Sequence, residues 1–267
     1  MEPIARLFDE AGDSLVSLPA ELERLYGGPF HLADEVVYAN FVSSVDGVAA
    51  IPDLEGSSSL ISGGIDADRF VMGLLRACAD VVLIGAGTLR AHPRTLWTPS
   101  NAFADAAEAY AELRETLGHK QDASVAVVTG SGRIDPDHPG LRRGAIVLTT
   151  RRGMRQATFP EHLDVVDLGE RNPPDGRDIV DALRGAGFRR ILTEGGPSLM
   201  GTLLDSGVVD ELFLTVSPVL AGRTEKGPRP GIVDATEILP DTRLEASLRS
   251  ARRAGSAMLL RYGIGQP

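Results

Sequence analysis

Cysteine is almost absent from this chain, since Cys78 is the single example among 267 residues. An intrachain disulfide is therefore impossible within it, and a metal cluster of Cys and His is not expected. Cys78 lies in an apolar, helix-like run, Leu-Leu-Arg-Ala-Cys-Ala-Asp-Val-Val-Leu. We interpret it as a core residue and expect no metal ion.

Positive charge is scarce, with 27 Lys and Arg against 37 Asp and Glu and a formal net charge of −10. Nucleic acids and anionic membranes attract a concentrated positive field, so we expect neither as the main partner. No run approaches the roughly 20 apolar residues that cross a bilayer. The first residues, MEPIARLFDEAGDS, carry acids where a signal peptide has a basic and then an apolar stretch. These absences predict a cytoplasmic protein.

Apolar residues are plentiful, at 43%, and they form short blocks separated by segments of helical period. This pattern is typical of an α/β fold with a mostly parallel sheet and crossover helices. The predicted strands are Glu35–Val42, Asp80–Ile84, Ser124–Thr129, Ala145–Thr149, Asp164–Leu168, Arg190–Thr193, Glu211–Val216 and Ala257–Tyr262. The predicted helices are Asp66–Ala79, Asn101–Leu117, Gly176–Ala186 and Pro197–Ser206.

The two ends of the chain differ from this pattern. Residues Arg243–Arg252 and Ala257–Tyr262 flank an Ala-Gly-Ser turn, which predicts an antiparallel C-terminal hairpin and hence a mixed sheet. The first 34 residues contain Phe8, Leu22 and Tyr26 among other apolar residues, so we expect them to pack on the domain formed by residues 35–267.

Two strands run directly into glycine-rich turns. The first leads to Gly85, Gly87 and Thr88, and the second leads through Glu194 to Gly195, Gly196, Pro197 and Ser198 at the start of a helix. Such turns bring open N–H groups close to a ligand and favour phosphate, although an ordinary strand-to-helix turn has the same composition. The dinucleotide fingerprint of the Rossmann fold is not satisfied, because Arg90 stands where its third glycine belongs. Two such turns in one sheet predict a shared nucleotide site.

Polar side chains also occur where the sheet pattern predicts burial. Glu194 sits at the mouth of the second turn, where a carboxylate accepts hydrogen bonds from a heterocycle, acts as an acid, or is simply exposed. Asn40, Ser44 and Asp46 share one strand face by period two. A polar ligand would satisfy them, and the Asp46-Gly47 turn alone also explains Asp46.

Taken in chain order, these blocks resemble the riboflavin-pathway pyrimidine reductases, which are relatives of dihydrofolate reductase. The blocks are Asn40 to Gly47, Ser62 and Asp68, Leu75 to Ala77, Gly85 to Thr88, Glu194 to Leu199, Val209 to Leu212, and Ser217 to Gly222.

The resemblance implies a dihydrofolate-reductase-like fold and assigns roles to individual residues. It assigns NADPH binding to Ser62, Asp68, Gly85, Gly87, Thr88, Gly195, Gly196, Pro197 and Ser198. It places Asn40 and Glu194 against the acceptor as catalytic residues, and it adds Ser44, Asp46, Ser58 and Arg76 as substrate-binding residues, with Arg76 on a phosphate. Ser131, with Arg133, is either a site for the 2′-phosphate of NADPH or part of a plain turn. Val209–Val219 resembles the family's dimer-forming region, so we expect a homodimer.

One segment departs from the family pattern. His92 stands where the family has an acid, and Pro99 stands near the place of a second phosphate-binding arginine, for which Arg90 or Arg94 is a possible substitute. The leading hypothesis is hydride transfer from NADPH to C1′ of a ribosylamino-pyrimidine of the 5-amino-6-ribosylamino-uracil phosphate type. The alternatives are a dihydrofolate or pteridine reductase that also uses NADPH, and a non-catalytic NADP-binding protein.

Overall fold

The computed structural model describes residues 1–10, 14–52, 54–120, 122–224, 227, 229–240 and 242–265. Its strands are β1 (Ala5–Asp9), β2 (Leu15–Val16), β3 (Phe30–His31), β4 (Val36–Ser44), β5 (Val81–Gly85), β6 (Ser124–Thr129), β7 (Ala145–Thr149), β8 (Leu163–Asp167), β9 (Arg190–Thr193), β10 (Glu211–Ser217), β11 (Ala246–Ala254) and β12 (Ala257–Ile264).

The helices lie between most of these strands. They are α1 (Ala20–Tyr26), α2 (Ser57–Ser62), α3 (Asp66–Cys78), α4 (Ala86–Ala91), α5 (Pro99–Ala102), α6 (Ala107–Thr116), α7 (Arg151–Gln156), α8 (Gly176–Gly185) and α9 (Pro197–Asp205), with a 3₁₀ turn at Ala104–Ala106. None of the helices in the described part of the chain is long and apolar enough to span a membrane.

Within the described residues, ten strands form one sheet in the order β1-β11-β12-β10-β4-β9-β5-β6-β7-β8. The run from β10 to β8 is parallel, whereas β12 pairs antiparallel with both β10 and β11. A mixed, mostly parallel sheet with an antiparallel C-terminal hairpin was predicted, and the structure confirms it. The short strands β2 and β3 pair separately.

Helices cover both faces of the sheet because its central strands are apolar on both sides. On one face, Tyr38, Val82 and Leu192 pack with α3 and α6 in one core. On the other face, Ala39 and Ile191 pack with α8 and α9 in a second core. The fold is therefore three layers thick.

The N-terminal residues join both the sheet and the first core. Strand β1 pairs with β11, and Leu22, Leu25 and Tyr26 of α1 are buried. The fully buried guanidinium of Arg252 on β11 donates to the carbonyl of Tyr26 at 3.1 Å and to Asp9 Oδ2 at 2.6 Å. These contacts fix the first residues to the end of the chain.

The predicted helix Asn101–Leu117 is wrong as one element, because the segment divides into α5, a 3₁₀ turn and α6. Phe103 interrupts the helix with extended backbone angles, φ −147° and ψ 99°. Its ring is buried edge-to-face against Phe70 of α3, with centroids 6.0 Å apart. Aromatic packing on α3 therefore accompanies the break in helical periodicity.

Candidate active site

The two glycine turns lie side by side because β5 and β9 are neighbouring parallel strands whose carboxyl ends meet at one edge. The Glu194 N–H donates to the carbonyl of Leu83 at 3.0 Å, which joins the two strand ends. A Cβ built on Gly196 would lie 3.6 Å from Thr88 Oγ1, whereas one built on Gly87 would meet no atom within 4 Å. The turns therefore border a common open space.

Gly195 has a packing role of its own. A Cβ at this position would lie 2.5 Å from Leu199 Cδ2, so any other residue would have to displace the Leu199 side chain. The following helix, α9, begins with Pro197 at its first turn, and no side chain caps its N–H groups. Ser198 is exposed beside them. Uncapped N–H groups at a helix N-terminus favour an anion.

Glu194 forms a buried, bidentate ion pair with Arg76 of α3. Arg76 Nε donates to Oε1 at 2.9 Å and Nη2 donates to Oε2 at 2.7 Å. The third nitrogen, Nη1, donates to the carbonyl of Thr98 at 3.2 Å. The side chains of Arg76 and Glu194 are only 4% and 9% exposed. A substrate phosphate would reach the guanidinium only by displacing these partners, so this arrangement does not support the predicted phosphate contact of Arg76.

Asp68, which lies on α3 like Arg76, is a second buried carboxyl group whose charge interacts with that of Glu194. Burial raises the pKa of Asp68 to about 6, the Thr215 hydroxyl opposes this rise, and the Glu194 carboxylate adds to it. Asp68 therefore keeps its proton to a higher pH than an exposed aspartate does. Asp68 lies in the first turn of α3, and its carboxyl group faces the Thr215 hydroxyl on β10. The sequence pattern did not predict this contact between Asp68 and Thr215.

Asn40 lies on β4 beside Phe213 of β10 and lines a small cavity that Val71 and Thr215 also line. Within the described residues, no hydrogen bond engages its side-chain amide. The amide is therefore free to meet a ligand on the face where Asp68 and Thr215 lie. The period-two pattern of β10, which puts Phe213, Thr215 and Ser217 on one face, was the signal that would have added Thr215 to the predicted site.

Ser44 and Asp46 serve the turn that follows β4. Ser44 Oγ donates to Asp46 Oδ1 at 2.6 Å and accepts from the Val48 N–H at 2.9 Å. Asp46 also accepts from the N–H groups of Ala221 and Gly222, at 3.0 and 2.7 Å. These hydrogen bonds hold the pKa of Asp46 well below its usual range. Both side chains already have protein partners, so the geometry favours the turn interpretation over the predicted substrate contacts.

The two serines predicted on α2 have different surroundings. Ser62 is buried, donates to the carbonyl of Ser59 at 3.2 Å and accepts from the Gly64 N–H at 3.3 Å, so it completes the end of its own helix. Ser58 is half-buried on the same helix. The structure therefore gives Ser62 a local role, and it leaves Ser58 accessible.

Ser131 lies just past the carboxyl end of β6, the neighbour of β5, at the same edge as the glycine turns. Its Oγ accepts from the Arg133 N–H at 3.4 Å, and Arg133 is exposed. A Cβ on Gly132 would lie 2.6 Å from the carbonyl of Gly153, so this turn packs tightly on α7. Ser131 thus lies at the edge of the sheet where the cofactor is predicted.

The segment after α4 supports the ion pair at Arg76. Thr98 caps the N-terminus of α5 and contributes the carbonyl that accepts from Arg76 Nη1, and the sequence interpretation missed this contact. Burial lowers the pKa of His92, the Glu194 carboxylate opposes this shift, and the Arg76 guanidinium adds to it. Arg90 and Arg94 are both exposed. Pro99 is buried where the resemblance would have placed an arginine.

A separate cavity of about 1000 Å³ lies far along the chain, between residues 233–239 and the start of β11. Its lining is mostly apolar and holds none of the predicted site residues. The glycine turns and Glu194 lie instead at the carboxyl ends of β5 and β9, with Asn40 on β4 and Asp68 and Arg76 on α3.

The sequence is similar to that of known reductases and RibD proteins of the riboflavin pathway. The model of the family described as the RibD C-terminal domain matches residues 35–260. The 2,5-diamino-6-ribosylamino-4(3H)-pyrimidinone 5′-phosphate reductase of Archaeoglobus fulgidus is 25% identical over 218 residues, which cover 78% of this chain and 90% of that protein. The riboflavin biosynthesis protein RibD of Mycobacterium tuberculosis is 26% identical over 221 residues, 82% of this chain and 52% of that protein. The match to RibD of Buchnera aphidicola spans only 27% of its length.

Solved structures share the fold. A pyrimidine reductase-like protein from Corynebacterium diphtheriae superimposes with a TM-score of 0.68 at 20% identity, covering 92% of this chain and 99% of the other. The riboflavin biosynthesis reductase Rib7 of Saccharomyces cerevisiae gives a TM-score of 0.61 at 15% identity, covering 90% and 94%.

Proposed function

This chain belongs to the RibD C-terminal domain family, and from this membership we propose that it is an NADPH-dependent reductase. Its acceptor is a ribosylamino-pyrimidine of the 5-amino-6-ribosylamino-uracil phosphate type. The names of its archaeal relatives describe another ribosylamino-pyrimidine, a diamino-pyrimidinone 5′-phosphate. The observation that carries this proposal is the position of Glu194. Its carboxylate binds Arg76 of α3, and its backbone begins the second glycine turn, so one residue joins the expected acceptor side to the expected cofactor side.

The described residues fit a nicotinamide dinucleotide. The two turns leave an open space beside Gly87, and the uncapped N-terminus of α9 faces the same edge. We assign Gly85, Gly87, Thr88, Gly195, Gly196, Pro197 and Ser198 to the cofactor. When bound there, NADPH would supply the hydride that C1′ receives.

The side chains on the α3 face would orient the acceptor. The Glu194 carboxylate accepts hydrogen bonds from ring N–H groups, and the Asn40 amide both donates and accepts. The acceptor carbon is C1′ of the open-chain imine form, so hydride addition sends the C=N electron pair to the exocyclic nitrogen. That nitrogen takes a proton from water or from Asp68, the buried carboxyl group whose pKa is raised to about 6. Positioning of C1′ and exclusion of water are the main contributions of the protein.

A scan of NADPH oxidation against pyrimidine, pterin and folate acceptors tests this proposal. We expect turnover with the ribosylamino-pyrimidine and little with dihydrofolate. The missing arginine near Pro99 is the observation that favours a dihydrofolate or pteridine acceptor, and preferred reduction of either would replace the proposal. Absence of turnover with every acceptor would favour the non-catalytic alternative.

Preference for NADPH over NADH rests on Ser131 and Arg133 at the end of β6. An exposed guanidinium beside a hydroxyl suits the 2′-phosphate, through charge-assisted hydrogen bonds. Arg133→Met should weaken NADPH binding and leave NADH binding unchanged. Equal affinities of the unaltered protein for the two cofactors would contradict this assignment.

We also propose a cytoplasmic homodimer in which Val209–Val219 contributes to the interface. Light scattering at micromolar concentration should give twice the monomer mass of 28.3 kDa. A monomeric mass would contradict the dimer without affecting the proposed reaction.

A further inference from the structure

Residues 92–98 join α4 to α5 and complete the contacts of the Arg76–Glu194 pair. The carbonyl of Thr98 accepts from Arg76 Nη1 at 3.2 Å, while Nε and Nη2 of the same guanidinium donate to the two oxygens of Glu194. The segment begins with His92, whose half-buried ring interacts with the charges of Glu194 and Arg76. The placement of this segment therefore helps to fix the orientation of Glu194, the side chain assigned to the acceptor.

His138, in the connection between β6 and β7, contacts this segment through a buried hydrogen bond. Its side chain is only 3% exposed. The Gly140 N–H donates to Nδ1 of His138 at 3.0 Å, so the proton of the neutral ring lies on Nε2. Nε2 then donates to the carbonyl of His92 at 2.9 Å, across 46 positions of the chain. One ring nitrogen thus serves the turn of His138 itself, and the other holds residues 92–98.

Trp97 provides a second contact between the same two segments. Its buried indole ring lies against the imidazole of His138, with ring centroids 5.4 Å apart. Gly140 permits this close approach, because a Cβ there would lie 2.8 Å from the indole ring and 2.9 Å from the carbonyl of Thr95. The two segments are therefore packed directly on each other.

The backbone of Trp97 has φ +54°, a left-handed conformation that bulky residues rarely adopt. Such a conformation persists only where the surrounding contacts hold it, and here they are the burial of the indole ring and its packing on His138. The next residue is Thr98, whose carbonyl binds Arg76. The strained position of Trp97 therefore lies immediately before the group that reaches the ion pair.

The turn that carries His138 is itself fixed to the core. The His138 N–H donates to the carbonyl of Asp135 at 3.2 Å, and the His138 carbonyl accepts from the Leu141 N–H at 2.8 Å. Leu141 is fully buried in the core that includes α3. His138 is thus attached to a rigid part of the fold, and its ring transmits that rigidity to an irregular segment.

We propose that His138 is a positioning residue for the acceptor site. It holds residues 92–98 through the His92 carbonyl and the Trp97 ring, and these residues in turn hold Arg76, which orients Glu194. This inference rests on the proposed function, and it concerns a residue that the family resemblance did not identify.

Two amide variants separate the contacts of His138. His138→Gln carries its amide near the position of Nε2, so it still donates to the His92 carbonyl but loses the hydrogen bond from Gly140. His138→Asn carries its amide near the position of Nδ1, so it still accepts from the Gly140 N–H but does not reach His92. NADPH oxidation with the ribosylamino-pyrimidine phosphate is measured for each variant well below its unfolding temperature.

Positioning predicts different kinetics for the two variants. We expect His138→Gln to keep kcat/KM for the acceptor within about threefold of the unaltered protein, and His138→Asn to lower it by roughly tenfold or more, because small displacements of orienting groups slow the reaction strongly. The dissociation constant of NADPH should stay within about twofold in both. Equal losses in the two variants, no loss in His138→Asn, or an equal loss of NADPH affinity would each overturn the proposal.

The Arg76–Glu194 pair also gives a signal that does not depend on turnover. The Nε–H of Arg76 is buried and ion-paired, so it should exchange slowly with water and appear in a nitrogen–proton NMR spectrum, where its loss in Arg76→Lys identifies it. The signal should shift in His138→Asn and keep its position in His138→Gln. An unchanged signal in His138→Asn would overturn the positioning of Arg76. If the unaltered protein reduces no ribosylamino-pyrimidine, the proposed function fails, and this spectrum still decides the role of His138.

A second variant perturbs the same contact without altering His138. Gly140→Ala would press its methyl group on the Trp97 ring, so we expect the same selective loss of kcat/KM as in His138→Asn. If His138→Asn does not fold, Gly140→Ala takes its place, and unchanged kinetics in that variant would overturn the proposal.

His119→Leu is the control for a general loss of stability. His119 is another mostly buried histidine, and its Nδ1 lies 3.1 Å from Asp80 Oδ1, at the edge of the sheet opposite the glycine turns. The variant should lower the free energy of unfolding and leave the acceptor kinetics unchanged. A kinetic loss as large as that in His138→Asn would show that destabilisation explains both results, and it would overturn the proposal.

Discussion

Replacement of Glu194 by glutamine tests the assignment of this side chain to the acceptor. Glutamine keeps the shape and one acceptor oxygen toward Arg76, but it removes the charge and replaces the second acceptor by a donor that faces the guanidinium. Removing one partner of a buried ion pair costs about 3–5 kcal/mol of folding stability. Because one hydrogen bond to Arg76 is retained, we expect Glu194→Gln to cost about 2–3 kcal/mol.

The effect on catalysis is expected to be separate from this loss of stability. If Glu194 holds the ring of the acceptor, kcat/KM for the acceptor falls by roughly tenfold or more, which corresponds to about 1.4 kcal/mol of transition-state binding. The dissociation constant of NADPH should barely change, because Glu194 precedes the glycines and its charge would repel a phosphate bound at their N–H groups. Steady-state kinetics, nicotinamide fluorescence titration and urea unfolding measure the three quantities.

Glu211→Gln provides the matched control. Glu211 also makes a bidentate pair, with Arg261 at 2.8 and 2.5 Å, and both side chains are mostly buried, at 15% and 12% exposure. It stands at the start of β10, at the edge opposite the glycine turns. We expect a comparable loss of stability and unchanged acceptor kinetics. Loss of NADPH binding in Glu194→Gln, with normal turnover at saturating cofactor, would refute both the assignment and the proposed crevice.

Four further outcomes follow from the packing and the charges. Gly87→Ala should fold normally, since its methyl group meets no protein atom, but it should weaken NADPH binding by roughly tenfold. Gly195→Ala should lower the free energy of unfolding in urea by about 1–3 kcal/mol, because its methyl group overlaps Leu199. Burial raises the pKa of Asp80, but hydrogen bonds from His119 and from the backbone N–H groups of residues 189 and 190 outweigh it and lower this pKa to about 2. The ionised carboxylate therefore contributes about 2 kcal/mol of stability above pH 4, and this contribution is lost as the pH falls from 4 to 2. An unfolding difference between the unaltered protein and Asp80→Asn that does not shrink over this range would contradict it. Arg252→Met should lower the free energy of unfolding by about 3–5 kcal/mol by leaving Asp9 unpaired, and a smaller loss in calorimetry would mean that the N-terminal strand is held by other contacts.

Elements whose formation depends on local pattern could be predicted from the sequence. The strands Ser124–Thr129, Ala145–Thr149 and Arg190–Thr193 have the predicted bounds, because each is a short apolar block between turn residues. The hairpin of β11 and β12 was predicted from two runs and a turn, although β11 begins at Ala246 rather than Arg243. The two glycine turns were also visible, since the residue type itself reports a close backbone approach.

Contacts between distant parts of the chain could not be predicted from the sequence. Arg76 and Glu194 are 118 positions apart, and the sequence around either residue does not show that the guanidinium donates to both oxygens of this carboxylate. The same holds for the burial of Asp68 beside Thr215, and for strand β1, whose pairing with β11 depends on the opposite end of the chain. An ion pair or a hydrogen bond needs two groups within about 3 Å in a fixed orientation, and helix and strand periods do not determine which elements become neighbours. The sequence pattern therefore predicts where polar side chains lie along the helices and strands. The packing of those elements determines which of these side chains have no protein partner and can bind a substrate.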